Sequence, residues 1–235
     1  MHKIFIDAYK LLIDTLLPVR CVVCKKEKTT TICGKCFAQF AFPQHQRCII
    51  CSKTSLFGLT HTHCQNGHTP ERLWCLYDYH SGGLSESIIC GKYNFIPDVF
   101  TELGKMLAKK FVTPYTADKT SILVTCLPLH KSRKRWRGFN QSETIAKIFA
   151  IQNSLPYSET LVRLRATKVQ KDLDRSARLA NMENCFGLLA NTFVRGKIII
   201  LIDDVTTTGT SFREASKILK QKGAKEVWCV AIAQD

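Results

Sequence analysis

Long apolar runs are missing from this 235-residue chain. A membrane helix needs roughly twenty consecutive apolar residues, and the most apolar stretch near the N-terminus, Ile4 to Leu17, is broken by Asp7, Lys10 and Asp14. That stretch also has no small-residue cleavage site, so it reads as an amphipathic helix and not as a secretory signal. Membrane insertion is excluded on this reading, and the cytoplasm is the expected compartment. Acidic charge is scarce too: 19 Asp and Glu face 34 Lys and Arg, a formal net charge of +15. The imbalance is uneven, since the segment from Asp118 to Asn181 holds thirteen cations against five acids. Polyanions are the partners such a segment selects. Beyond two cysteine arrays there is no internal repeat, which excludes a solenoid.

Cysteine, by contrast, is abundant, with twelve in the chain. Without an export signal these are expected as metal ligands or free thiols, because a reducing compartment keeps disulfides open. Cys21-x2-Cys24 and Cys33-x2-Cys36 have zinc-ribbon spacing. Each pair sets two thiolates on one side of a tetrahedron, and Gly34 relieves crowding in the second turn. Cys48-x2-Cys51 repeats the pattern, but its partner pair reads His61-x2-Cys64. A Cys3His site is chemically sound. His61, His63 and His68 compete for the imidazole position, and the two-residue gap favours His61. One or two structural Zn2+ ions are expected, since neither array has an open coordination position beside a general base.

Near the C-terminus, Ile198 to Ser211 reads IIILIDDVTTTGTS. Five apolar residues bounded by turn formers predict a buried parallel strand, which places Asp203 and Asp204 at its carboxyl end, where α/β sheets bind ligands. The Thr/Gly/Ser loop that follows lets backbone N–H groups converge on an anion, aided by the positive end of the next helix. Phe212, Ala215, Ile218 and Leu219 mark that helix, Gly223 its stop, and Val227 to Ala233 a further strand. This stretch resembles the 5-phosphoribosyl diphosphate (PRPP) signature of type I phosphoribosyltransferases. The resemblance implies that Asp203 and Asp204, the expected catalytic pair, hold the ribose hydroxyls, and that Thr207, Thr208, Gly209, Thr210 and Ser211 hold the 5′-phosphate. It also implies Mg2+ riding on the diphosphate.

A second strand is predicted over Ile122 to Leu127, followed by PLHKSRKRWRGFNQS. Cations just past a strand end put Lys131, Arg133, Lys134, Arg135 and Arg137 on the same rim as the phosphate loop. Trp136 and Phe139 interleave with them, a composition that single-strand nucleic-acid binders share and that core anchoring explains equally. The cysteine arrays, CLPLHKSRKRWRGFNQS, LVRLRATKVQKDLDRSARLANMENCF and IIILIDDVTTTGTS, in this order, are similar to the competence protein F (ComF) family, which includes ComFC and GntX-like proteins. His61 departs from the cysteine usual there. The resemblance makes Arg163 to Asn181 a movable lid, with Gln170, Arg175 and Arg178 at family positions, and it makes Lys92 in Gly91-Lys92-Tyr93 a phosphate contact.

The expected architecture is an N-terminal helix plus double zinc ribbon over residues 1–70, then a type I phosphoribosyltransferase-like α/β domain over 71–235. That domain has a parallel sheet flanked by helices, including a strand at Leu73 to Tyr79 and a helix at Asp98 to Phe111. Two functions stand. One is a competence protein that binds PRPP and Mg2+ in natural transformation, with phosphoribosyltransferase activity if it turns over. The other is a single-stranded-DNA-binding adaptor of the uptake machinery that keeps the fold without the chemistry and docks a competence helicase or another uptake protein.

Overall fold

The computed structural model describes residues 19–111, 119–165 and 185–235. The helix read at Ile4 to Leu17 and the lid residues Gln170, Arg175 and Arg178 lie outside them.

Each Cys-x2-Cys pair at 21–24 and 48–51 closes the same small hairpin. Cys21 N donates to Lys26 O at 3.0 Å and Cys48 N to Lys53 O at 2.9 Å. The residue after each second cysteine, Lys25 or Ser52, turns left-handed at φ 61 and φ 60. Helix α1 (Gly34–Phe37) follows the first hairpin. Then come β1 (Arg72–Asp78), α2 (Leu84–Tyr93), α3 (Asp98–Lys110), β2 (Ile122–Cys126), α4 (Lys131–Arg137) and α5 (Gln141–Asn153). A short antiparallel pair, β3 (Leu161–Arg163) and β4 (Phe186–Leu188), precedes β5 (Ile198–Thr206), α6 (Thr210–Gln221) and β6 (Glu226–Gln234). The main sheet is parallel throughout, in the order β1-β6-β5-β2. Among the described residues no helix is long and apolar enough to cross a membrane.

Strand alternation explains both layers. Ile198, Ile200 and Ile202 of β5 pack with Phe100, Leu103, Ile145 and Phe149 of α3 and α5 on one face. Ile199 and Leu201 pack with Phe212, Ala215 and Leu219 of α6 on the other. Two covered faces account for the near-continuous apolar sequences of β5 and β6. The cations after β2 lie on a seven-residue helix of about two turns; it ends at Gly138, whose φ of 81 is a left-handed cap that any side chain would strain.

Near residue 70 the chain passes from the cysteine-rich segment into β1, yet the cysteine segment has no separate core. Cys21, Val22, Ile32 and Phe40 join the α3/α5 face, and Ile49 joins the α6 face. Gln46 fastens the second hairpin to the edge strand: its Nε2 donates to Cys75 O at 2.9 Å, and its Oε1 accepts from Cys75 N at 2.8 Å. Removing that amide strips partners from two backbone groups. Gln46→Ala is therefore expected to cost about 1–3 kcal/mol in urea unfolding; an unchanged midpoint would mean that the two segments hold together without it.

Candidate functional site

Strand β5 runs further than its apolar residues, through Thr206, so Asp203 and Asp204 sit inside its second half. Neither is left to itself. Asp204 is only 3% exposed, with Lys92 Nζ of α2 at 2.5 Å from its Oδ2. The Ser142 hydroxyl, at the start of α5, donates to Asp203 Oδ1 at 2.6 Å. The RGFNQS segment supplies that serine by local rules. Asn140 caps α5 by accepting from Ser142 N at 3.2 Å, and its Nδ2 donates to Leu127 O at 3.1 Å, which ties the helix start to the end of β2.

Two adjoining pockets open beside the aspartates. The larger, about 260 Å³, is lined by Asp203, Asp204, Lys92, Arg133, Gln141 and Arg163 among others. The smaller, about 110 Å³, is bounded by Asp203 and by residues 205–212, so it takes in Thr207, Thr208, Gly209, Thr210 and Ser211. Gly209 is the N-cap of α6 with φ 69, and neither a side-chain cap nor an acidic residue occupies the helix start. Uncapped amides at the positive end of a twelve-residue helix make an anion site. Thr208 and Thr210 hydroxyls lie 2.8 Å apart across the loop.

The cations divide. Arg133 reaches the larger pocket, and Lys131 and Lys134 reach a neighbouring one of about 200 Å³. Arg135 is exposed and lines neither. Arg137 turns inward, donating to Gln141 Oε1 at 2.6 Å and lying 5.9 Å from the Tyr93 ring centroid. Lys92 holds Asp204 at the edge of the pocket. Phe139 packs on Phe100 at 5.8 Å and serves the core, whereas Trp136 is 56% exposed beside Phe95 and Tyr93, at 5.3 and 5.9 Å between centroids. Sequence reasoning missed Gln141, Ser142 and Arg163 as pocket residues. The polar run Asn140-Gln141-Ser142 ahead of an apolar helix was the available signal.

The cysteine clusters meet the demands of a tetrahedral metal. Sulfurs of Cys21, Cys24, Cys33 and Cys36 lie within 4.8 Å of one another, with Cys21–Cys36 at 3.7 Å and Cys24–Cys33 at 4.0 Å. A tetrahedron with Zn–S bonds of about 2.3 Å has edges of about 3.8 Å. Cys48, Cys51, His61 and Cys64 form the second group. His61 Nδ1 is 3.3 Å from Cys51 Sγ, and its other ring nitrogen is 3.2 Å from Thr54 O. That carbonyl suits the second-nitrogen partner of a ligating imidazole, and His63 stacks outside on His61 at 5.4 Å.

Burial, then the neighbouring charge of Asp204, pushes Asp203 up to about 7, against the pull of Ser142 and Lys92. A raised value means that the fold favours the protonated form. Its stabilisation is complete below the ordinary carboxylate value of 3.8 and is lost as pH rises through about 7. Asp203→Asn should therefore flatten the fall in urea midpoint between about pH 4 and about pH 7; a decline as steep as in the unsubstituted protein would show that Asp203 is ionised throughout.

The chain matches the double zinc ribbon domain over residues 12–73 and the phosphoribosyl transferase domain over residues 137–235. It is 37% identical to the DNA utilization protein YhgH of Salmonella typhi over 42% of this chain and 44% of that one. To the competence protein F of Haemophilus influenzae it is 33% identical over 46% and 48%. To the competence protein ComFC of Streptococcus pneumoniae it is 26% identical over 91% and 92%. The alignments to the Salmonella and Haemophilus proteins thus span less than half of those relatives. A ribbon of paired cysteines followed by a phosphoribosyltransferase-type parallel sheet with an acidic strand end and a threonine loop makes the chain similar, over most of its length, to proteins of the competence protein F (ComF) family.

Proposed function

We propose that the protein binds PRPP at the end of β5 and acts, in the cytoplasm, on the handling of DNA that has been taken up. The observation that carries this reading is the pairing of two held carboxylates with an uncapped helix start across adjoining pockets. Ionised carboxylates accept hydrogen bonds from a vicinal diol, while amides with little side-chain bulk reach a phosphate. Arg133 and Arg163 border the larger pocket, where a diphosphate needs cations. The all-oxygen donor set of two carboxylates and an incoming diphosphate suits Mg2+, which takes few protein ligands and keeps substrate phosphates. Asp203 would hold it, and the ion would supply charge neutralisation on the leaving group. In transfer, the acceptor would form its bond to C1 as the C1–O bond to diphosphate breaks; Asp203 and Asp204 orient the ribose for that displacement. Each cysteine cluster is assigned one structural Zn2+, held by Cys21, Cys24, Cys33 and Cys36 and by Cys48, Cys51, His61 and Cys64.

A second reading, binding of single-stranded DNA, is favoured by one specific observation. Tyr93, Phe95 and Trp136 are exposed by 56%, 48% and 56%; Trp136 meets the other two edge to face, and Arg137 lies over the Tyr93 ring. Phe95 takes φ 57, a left-handed backbone that costs a bulky residue energy, and such strain concentrates at functional surfaces. A helicase or another uptake-machinery protein is the further partner of this surface under the adaptor reading.

Calorimetry with PRPP and Mg2+ tests the first reading. Asp204→Asn keeps the shape but removes a charged acceptor, so affinity should fall about 10- to 100-fold; equal affinity would remove the sugar-phosphate assignment. For the second, oligonucleotide affinity should drop with rising salt. Trp136→Ala should weaken it by about 1–3 kcal/mol for each stacked base lost. A salt-independent affinity, or one untouched by the substitution, rejects this surface as the DNA site.

A further inference from the structure

Ile49 lies between Cys48 and Cys51, two of the four donors of the second cluster. Its side chain does not face solvent: it is 3% exposed and belongs to the core formed with Leu201 of β5 and with Phe212 and Ala215 of α6. It also forms the wall behind Gly209. A Cβ on Gly209 would stand 2.8 Å from Ile49 Cγ1 and 3.6 Å from Ile49 O. The left-handed turn that opens the uncapped start of α6 is therefore seated against a cysteine hairpin. The first cluster has no such relation, because Cys21, Val22, Cys33 and Cys36 pack on the opposite face of the sheet.

We propose that Ile49 is a positioning residue for the anion loop, and that closure of the second cluster around its metal sets the affinity of that loop for phosphate esters. The proposal rests on the reading of the smaller pocket as a phosphate site. A metal held by Cys48 and Cys51 would fix both ends of the Ile49-Ile50 segment between them, and a fixed Ile49 leaves Gly209 no room to relax away from φ 69. When the cluster opens, the wall retreats and the loop samples turns in which its amides diverge. Apparent affinity then falls by the fraction of molecules that still hold the binding turn.

The test uses the full chain with zinc bound, amide hydrogen exchange across residues 207–212, and titration with ribose 5-phosphate. Cys64→Ser removes a donor of the second cluster; Ile49→Ala and Ile49→Val thin the wall by unequal amounts. Exchange across residues 207–212 should quicken in Cys64→Ser and Ile49→Ala while β5 and β6 stay protected, with Ile49→Val in between. Ribose 5-phosphate should bind roughly tenfold more weakly where about a tenth of molecules keep the turn. Unchanged exchange across residues 207–212 in Ile49→Ala, with the sheet intact, overturns the coupling. If the unsubstituted protein ignores ribose 5-phosphate while exchange still responds to Ile49, the coupling stands and the phosphate reading fails. Should Cys64→Ser not fold, the graded pair at Ile49 decides alone.

Discussion

Two neighbouring carboxylates at the end of an apolar strand repel each other and lose water, and side chains from two other helices answer that constraint. Lys92 comes from α2 to meet Asp204, and Ser142 comes from the start of α5 to meet Asp203. The two elements differ in what they supply. An ammonium neutralises one carboxylate, whereas a hydroxyl only hydrogen-bonds the other, so Asp203 keeps a raised proton affinity while Asp204 has an opposite charge. A pair held in that way offers a ligand one carboxylate paired with an ammonium and one that answers to pH.

The loop beyond the pair depends on geometry more than charge. Gly209 opens α6 in a conformation that only glycine adopts freely, and no side chain closes the helix end. Among the described residues no side-chain cap takes up the first amides. Behind the loop stands the second cysteine hairpin, and Gln46 clamps the same hairpin to β1. The ribbon is thus part of the wall of the site as well as part of the core, which is why metal and ligand can be linked without any contact between them.

Apolar runs made much of the sheet legible. The expected strands at Leu73–Tyr79, Ile122–Leu127 and Val227–Ala233 and the helix at Asp98–Phe111 correspond, within a residue at each end, to β1, β2, β6 and α3. Periodicity works there because a strand or helix buries a face that its own residues define. Helix α4 was not legible: seven residues dominated by cations carry no apolar face, and only the Gly138 cap shows where it ends. Among site residues, the DD pair and the threonine loop could be read from residue type and order. Lys92 and Ser142 could not be assigned to their aspartates, since each comes from another element far away in the chain.

By itself the sequence determined the chemical inventory: eight soft donors in paired spacings, two carboxylates closing an apolar run, a loop without bulk, and an excess of cations in one quarter of the chain. Local rules suffice for these, because spacing along the backbone sets which neighbours share a turn, a face or a helix end. Tertiary structure alone decided that Arg137 turns inward while Arg133 opens to the pocket, and that Ile49 backs Gly209. Those outcomes depend on which surfaces of separate elements pack together, and close packing at distances of a few ångströms follows from the whole set of side chains rather than from any one segment.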